Sequence, residues 1–122
     1  MKKILIVDDQ DKIRELVHVT IRIGDYEILE AASGDEAVEV ARQHQPDLIF
    51  LDVMMPNSTL DGFEVCKILK EDERTKNAHI LMLTALDKEE DIERGKEVGA
   101  DGYFTKPFSP LELMSKVEEI LG

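Results

Sequence analysis

The chain contains few of the residues that cross-link a protein or anchor it in a membrane. Among 122 residues there are one cysteine and no tryptophan, and aromatic residues make up 5%. A lone cysteine cannot form an internal disulfide, and we interpret Cys66, which lies among apolar residues, as a small core residue. No apolar run approaches the roughly 20 residues that span a bilayer. Asp8 and Asp9 end the first apolar run too early for a signal peptide. The sequence therefore predicts a cytoplasmic protein without membrane insertion.

Basic residues are also scarce. The chain has 15 basic and 27 acidic residues, which gives a net charge of −12. Such a surface disfavours direct binding to nucleic acid and to anionic membranes. The length and the 43% share of hydrophobic residues are typical of one globular domain, predicted over residues 1–122. Neither a G-x-G-x-x-G nor a G-x-x-x-x-G-K phosphate loop occurs.

Apolar runs alternate with stretches of helical periodicity. The predicted strands are residues 3–7, 26–31, 47–52, 79–84 and 101–105. Helix signals follow each strand: Gly24 as the stop of the first helix, Ser33 with Glu36 as a capping box, Asp87 as a cap, and Ser109 with Pro110 at the last helix. The fourth helix, about residues 88–98, has only Ile92 and Val98 as clearly apolar residues and is predicted to be loosely held. Five βα units predict an α/β fold, a parallel sheet with helices on both faces.

Polar residues follow four of these strands. They are Asp8 and Asp9 after the first, Asp52 after the third, Thr84 after the fourth and Lys106 after the fifth. Alternating βα units bring the carboxyl ends of parallel strands to one edge of the sheet, where α/β proteins bind ligands. Singly, each residue has an ordinary explanation; Asp9 or Asp11, for example, could cap the first helix. Their combination predicts a site.

Three crowded carboxylates are either partly protonated or neutralised by a bound cation. Two unit charges 4 Å apart repel by roughly 4 kcal/mol at an effective dielectric of about 20. Oxygen ligands indicate Mg²⁺, with Mn²⁺ as a substitute, rather than Ca²⁺, since no ligand-dense loop is present. Zinc is disfavoured because His18, His44 and His79 fall at helix or strand-start positions.

A hydroxyl and an ammonium group aimed at the same point suit phosphoryl oxygens. A carboxylate can attack phosphorus and form an acyl phosphate. Asp52 is the predicted attacker because it follows a central strand, whereas Asp8 and Asp9 are better placed as metal ligands.

The sequence resembles the receiver domains of two-component response regulators along its whole length. The resembling segments are I-L-I-V-D-D (4–9), D-L-I-F-L-D-V-M-M-P (47–56), D-G (61–62), L-T-A (83–85) and G-Y-F-T-K-P-F (102–108). The resemblance implies a doubly wound, flavodoxin-like sheet in the order 2-1-3-4-5.

It also implies a phosphorylation-dependent signalling switch rather than a turnover enzyme. Asp52 would accept a phosphoryl group from the phosphohistidine of a sensor histidine kinase or phosphotransfer protein. Asp9, Asp52 and the backbone carbonyl of Met54 would hold Mg²⁺, with Asp8 acting through water. Lys106 would pair with the phosphoryl oxygens.

Further expectations concern the switch. Thr84 would move toward the phosphoryl group, Tyr103 would turn inward, and the surface of the fourth helix, fifth strand and fifth helix would change. Lys106 and Pro107 would be joined by a cis bond. No output domain follows in the sequence given, so the output is expected in trans, through a protein target.

Two features depart from the family pattern. Four residues, Asn57–Leu60, separate Pro56 from the D-G pair, a longer spacing than is usual. Apolar Met54 and Leu86 lie two residues after Asp52 and Thr84, where polar groups can help water attack the acyl phosphate; slow self-dephosphorylation is therefore predicted.

Two other classes of protein remain as alternatives. An aspartyl-phosphate phosphatase of the haloacid dehalogenase type has a second aspartate two residues after the nucleophile, but Met54 stands there. A flavodoxin-like ligand-binding module would hold an anionic flavin, which the acidic cluster disfavours.

Overall fold

The computed structural model describes residues 1–56, 58–84, 89–106 and 108–122. Strands and helices alternate along the chain. In order they are β1 (Lys2–Val7), α1 (Asp11–Ile21), β2 (Tyr26–Ala31), α2 (Gly34–His44), β3 (Leu48–Asp52), α3 (Gly62–Glu71), β4 (His79–Thr84), α4 (Glu89–Glu97), β5 (Gly102–Thr105) and α5 (Pro110–Leu121). The predicted α/β class is confirmed. None of the helices in the described ranges is long and apolar enough to cross a membrane.

The sheet has five strands in the order β2-β1-β3-β4-β5, and each neighbouring pair is parallel. The predicted doubly wound order 2-1-3-4-5 is therefore confirmed. The chain reverses its direction of progress across the sheet between β1 and β3. In such sheets a crevice opens at the carboxyl ends of the strands flanking this reversal.

Two apolar cores lie on opposite faces of the sheet. One face packs β-strand residues such as Ile6 and Phe50 against α1 and α5, through Val17 and Val117. The other packs against α2 and α3 and extends to the partly buried Val98 after α4. The central strand β3 is buried along its whole length, which explains its continuous apolar run.

Helix α4 is the least buried helix, as its sparse apolar residues predict. Of residues 89–97, Gly95 alone is buried, whereas α2 and α3 each bury several side chains. Few buried contacts make a segment easier to move locally. The helix ends at Glu97, one residue before the predicted end, and the predicted first residue, Lys88, lies outside the described residues.

Helix ends differ from the predictions in several places. Helix α1 ends at Ile21, and the next residue, Arg22, has right-handed helical backbone angles, so Gly24 is not the stop of this helix. At the other end, Gln10 occupies the N-cap position, rather than Asp9 or Asp11. Ser33 and Ser109 cap α2 and α5 as predicted.

A full capping box between Asp61 and Glu64 at the start of α3 was not predicted. The proposed cap Asp87 lies outside the described residues.

Cys66 is buried in the core on the α3 side, as predicted. Burial raises the pKa of its thiol to about 11. The thiol is therefore protonated at neutral pH, which fits a packing role.

Asp72 links two helices through a cluster of arginines. Its carboxylate accepts hydrogen bonds from Arg74 Nε and Nη2 at 3.1 and 3.0 Å and from Arg42 Nε of α2 at 2.8 Å. The side-chain hydrogen bonds from Arg74, followed by its backbone N–H, hold the pKa of Asp72 well below its usual range.

Asp72→Asn is expected to weaken the acid sensitivity of folding. A depressed carboxylate pKa stabilises the fold above the unfolded value of about 3.9, and this contribution is lost as pH falls below it. Urea midpoints at pH 7 and pH 3 should therefore differ less in Asp72→Asn than in the wild type. Glu73→Gln, at a neighbouring exposed carboxylate, is the control and should keep the wild-type difference. Equal pH dependence in all three proteins would contradict this role of Asp72.

Candidate functional site

Three carboxylates meet where β1 and β3 end. Asp8 and Asp9 directly follow β1, and Asp52 is the last residue of β3. One carboxylate oxygen from each lies within 4.8 Å of the other two. Asp8 is fully buried and Asp52 is 5% exposed, so water screens their charges poorly.

Lys106, directly after β5, brings a positive charge to this group. Its Nζ donates a hydrogen bond of 2.7 Å to Asp8 Oδ2 and lies 3.4 Å from Asp52 Oδ1. The ammonium therefore sits between the two buried carboxylates. Its shortest contact is to Asp8, and the pairing of Lys106 with phosphoryl oxygens that the resemblance implies stays a prediction.

Every polar group of Asp8, in the backbone and in the side chain, forms a hydrogen bond. Its amide donates to Ala31 O at 3.2 Å and its Oδ1 accepts from Gln10 N at 2.9 Å, in addition to the bond from Lys106. Its backbone carbonyl accepts from Arg14 Nη1 at 2.6 Å. Asp8 is thus a fixed part of the site, tied to β2, α1 and β5.

Asp52 carries the unbalanced charge. Burial, and then repulsion by Asp8, raises its pKa to about 6, although Lys106 and the Met54 amide partly oppose the rise. The Met54 amide donates to Asp52 Oδ1 over 3.3 Å. The site thus has a carboxylate that gains from an added cation, and its hard oxygen ligands suit Mg²⁺.

The remaining predicted residues lie around this centre. Thr84 ends β4 and is buried, and its carbonyl accepts a 2.6 Å hydrogen bond from the Lys106 amide. Met54 is 66% exposed. Tyr103 in β5 is 45% exposed and pairs in register with Met82 of β4, so it lies apart from the carboxylates. Leu86 and Pro107, with the expected cis bond at Pro107, lie outside the described residues.

The lengthened loop after β3 is fastened to the start of α2. Ser58 Oγ accepts a 2.7 Å hydrogen bond from the Gly34 amide and donates one of 2.7 Å to Leu60 O. A Cβ at Gly34 would lie 2.5 Å from that same carbonyl oxygen. Asn57 of this loop lies outside the described residues.

A steric constraint explains why the D-G pair has a glycine at position 62. Gly62 begins α3 against the end of β3, and its amide donates to Val53 O at 3.3 Å. A Cβ at this position would overlap the Asp52 carbonyl oxygen and lie 2.8 Å from Val53 Cα. The close approach of these two backbone segments fixes Asp52 relative to α3.

Gly62→Ala is expected to destabilise the protein by about 3 kcal/mol, because overpacking a rigid backbone contact forces a shift. Urea unfolding measures this loss. Gly95→Ala is the matched control, since a Cβ there would meet Met82 at an ordinary 3.6 Å. A Gly62→Ala protein as stable as Gly95→Ala would contradict the close approach.

Arg14 is the contributor that the sequence analysis missed. It belongs to α1, yet it reaches the carbonyl of Asp8. The only signal in the sequence is an arginine one helical turn into the helix that follows the two aspartates. That pattern alone does not separate it from a surface arginine.

Comparison with known proteins gives the family of this chain. Residues 4–118 match the model of the response regulator receiver domain, and the chain belongs to that family. The resemblance noted from the sequence is therefore confirmed.

Two curated relatives are full-length regulators. The chain is 48% identical to the alkaline phosphatase synthesis transcriptional regulatory protein PhoP of Bacillus subtilis and 46% identical to the phosphate regulon transcriptional regulatory protein PhoB of Pseudomonas aeruginosa, each over 98% of this chain. It spans about half of their length, 48% and 52%. Both relatives are named as transcriptional regulatory proteins.

Among solved structures, the chain is similar to the chemotaxis protein CheY4 of Vibrio cholerae. The TM-score is 0.92 at 39% identity, with 99% of both chains covered. A response regulator from Chloroflexus aurantiacus is similar at a TM-score of 0.90 and 39% identity, covering 98% of this chain and 97% of that one.

Proposed function

We propose that residues 1–122 form one receiver domain in which Asp52 accepts a phosphoryl group and thereby switches a protein-binding surface. The observation that carries this proposal is the set of three carboxylates within 4.8 Å, with the Lys106 ammonium between two of them. Phosphoryl transfer to a carboxylate needs an attacking oxygen, a cation for the phosphoryl charge and an ammonium nearby. The chain supplies the oxygen and the ammonium.

Mg²⁺, when bound, neutralises the phosphoryl charge and aligns the reacting groups. Asp9, Asp52 and the Met54 carbonyl are the proposed direct ligands. Both carboxylate oxygens of Asp8 already accept hydrogen bonds, from Lys106 and Gln10, which favours a role through water. The raised pKa of Asp52 supports a bound cation, because an unneutralised carboxylate is disfavoured there.

In the transfer step, an oxygen of Asp52 bonds to phosphorus while the P–N bond of a partner's phosphohistidine breaks. The electron pair of that bond stays with the imidazole, which takes up a proton. Lys106 Nζ lies 3.4 Å from Asp52 Oδ1 and can shift from Asp8 toward the arriving phosphoryl oxygens. The partner is accordingly a sensor histidine kinase or a phosphotransfer protein.

The response is proposed to pass through Thr84 and Tyr103. Thr84 is linked to Lys106 through the backbone, and Tyr103 lines a cavity of about 230 Å³ beneath α4, together with Met82, Ile92 and Gly95. This cavity gives the half-exposed ring of Tyr103 space to turn inward. The scarcely buried α4 is the element that such a movement displaces most easily.

The output is proposed to be a protein target bound in trans by the surface of α4, β5 and α5. The relatives named above regulate transcription as full-length proteins. This domain has a net charge of −12, which repels the phosphate backbone, so we still predict that it does not itself bind nucleic acid. A cytoplasmic location likewise stays a prediction.

The function is tested by incubating the protein with Mg²⁺ and acetyl phosphate, followed by intact-mass analysis. The wild type should gain one phosphoryl group, and it should gain none when EDTA replaces Mg²⁺ or when Asp52 is changed to Ala. A wild-type protein that stays unmodified would overturn the proposal.

Self-dephosphorylation is expected to be slow, because Met54 has no polar group with which to orient water. Met54→Asn combined with Leu86→Glu should shorten the phosphoryl half-life by at least about tenfold, by providing groups that position and activate water. Loss of the phosphoryl mass with time measures the rate. Met54→Leu is the control and should keep the slow rate; an unchanged half-life in the double variant would count against this explanation.

A further inference from the structure

Arg14 connects the start of α1 with the ends of β1 and β2. Its Nη1 donates a 2.6 Å hydrogen bond to the backbone carbonyl of Asp8, and its Nε lies 3.3 Å from Glu30 Oε1. Its Nη2 contacts Asp11. The side chain is only 14% exposed, so these partners fix the guanidinium on several sides.

Glu30 is itself held from the same helix. Its Oε2 lies 2.9 Å from His18 Nδ1, one turn beyond Arg14. The amide of Asp8 donates to Ala31 O, the next residue of β2. The end of β2 therefore supports both Asp8 directly and the arginine that binds the carbonyl of Asp8.

The bond to this carbonyl has a consequence for Asp9. The carbonyl of Asp8 and the amide of Asp9 belong to one planar peptide unit. When the carbonyl is fixed, the peptide plane cannot rotate, so the position of the Asp9 Cα is fixed and only the φ and χ angles of Asp9 itself remain to direct its carboxylate. Asp9 is 1 of the 3 carboxylates of the cluster, and it is less buried than Asp8 and Asp52.

We propose that Arg14 is a positioning residue for the Mg²⁺ site: it holds the Asp8–Asp9 peptide so that the Asp9 carboxylate is oriented for the cation before it binds. This inference rests on the proposed function, since it assigns a role at the same site. Groups that orient metal ligands from behind typically change metal affinity by 10–100-fold.

Charge and position predict opposite effects at this residue. Arg14 is a cation close to a cation site, so removing its charge alone would tighten Mg²⁺ binding through weaker repulsion. Removing its hydrogen bond to Asp8 would weaken Mg²⁺ binding, because Asp9 would lose its fixed orientation. The sign of the change in affinity therefore separates the two roles.

The experiment measures the Mg²⁺ dissociation constant by titration calorimetry of the whole chain, which has no tryptophan for a fluorescence assay. Arg14→Met should bind Mg²⁺ about tenfold more weakly than the wild type. Lys12→Met is the matched control: it removes the same charge from an exposed residue of the same helix and should bind equally well or slightly more tightly. An Arg14→Met protein that binds as tightly as Lys12→Met would overturn the inference.

Arg14→Lys keeps the charge but loses the planar fork that contacts several partners at once. Its dissociation constant should lie between those of the wild type and Arg14→Met. It also decides the matter if Arg14→Met does not fold, because a role through charge alone predicts wild-type affinity for Arg14→Lys. Wild-type affinity in this variant would overturn the proposal.

Phosphoryl uptake from acetyl phosphate gives a second readout. For Arg14→Met, the Mg²⁺ concentration that gives half of the maximal rate should rise, whereas the rate at saturating Mg²⁺ should stay near that of the wild type. A lower rate at saturation with unchanged half-saturation would overturn a role in metal positioning. If the wild type neither binds Mg²⁺ nor accepts a phosphoryl group, the proposed function fails and this inference with it; normal behaviour of the wild type and Arg14→Met alike refutes the inference alone.

Discussion

Lys106→Met is expected to lower the free energy of unfolding by about 3 kcal/mol at pH 7 without divalent cations, because it leaves a buried carboxylate without its partner. Asp8 is fully buried, and Lys106 Nζ donates to it at 2.7 Å. Without the ammonium, Asp8 and Asp52 repel each other with little compensation. Urea unfolding in EDTA measures the loss.

The same substitution should slow phosphoryl uptake from acetyl phosphate by about a hundredfold, as expected when one charged donor is removed from a transition state. Lys116→Met is the control, because the half-buried Lys116 pairs with the exposed Glu119 at 3.7 Å, and such surface pairs contribute little. Comparable stability and uptake in both variants would refute the central position of Lys106.

Asp52→Asn is expected to stabilise the cation-free protein by about 3 kcal/mol at pH 7, because each unit by which the folded pKa is raised corresponds to about 1.4 kcal/mol. The folded pKa of Asp52, about 6, lies above its ordinary value of 3.8. Its ionisation therefore opposes folding: the penalty is absent below about pH 4, grows as pH rises through 6, and is complete at pH 7. An amide has no such charge, so the variant escapes the penalty.

Urea unfolding in EDTA at pH 4 and pH 7 tests this expectation. Asp52→Asn should exceed the wild type at pH 7 and match it at pH 4, and saturating Mg²⁺ should stabilise the wild type more than the variant. Asp47→Asn provides a control at the opposite end of β3, where the carboxylate accepts from the Lys3 amide at 2.8 Å and its loss should not stabilise. Equal stability of the wild type and Asp52→Asn at pH 7 would show that burial and repulsion by Asp8 do not destabilise the ionised Asp52.

The sheet and the convergence of the strand ends were predictable because they follow from periodicity and chain order. The apolar run at β3 is continuous because both faces of the strand are covered. Right-handed connections then bring Asp52, Asp8 and Lys106 to one edge of the sheet. This placement can be predicted even when no side-chain contact is known. The strand order itself required the resemblance to the family.

Contacts between elements could not be predicted in the same way. Lys106 donates a hydrogen bond to Asp8, 98 positions away in the sequence. Which of several nearby carboxylates a long lysine side chain contacts depends on the folded backbone and cannot be read from the sequence. Arg14 is similar: its partner is a backbone carbonyl, which carries no signal in the sequence. The capping box of α3 was predictable, because Asp61 and Glu64 show the required spacing in the sequence.

Asp52, and no other carboxylate of the cluster, is proposed to accept the phosphoryl group. Borohydride reduction converts an aspartyl phosphate into homoserine and leaves a free carboxylate unchanged. The wild-type protein is treated with Mg²⁺ and acetyl phosphate, reduced and digested, and its peptides are sequenced by mass spectrometry. We expect homoserine at position 52 and unmodified aspartate at positions 8 and 9; homoserine at position 8 or 9, or at none of the three, would refute the assignment of Asp52.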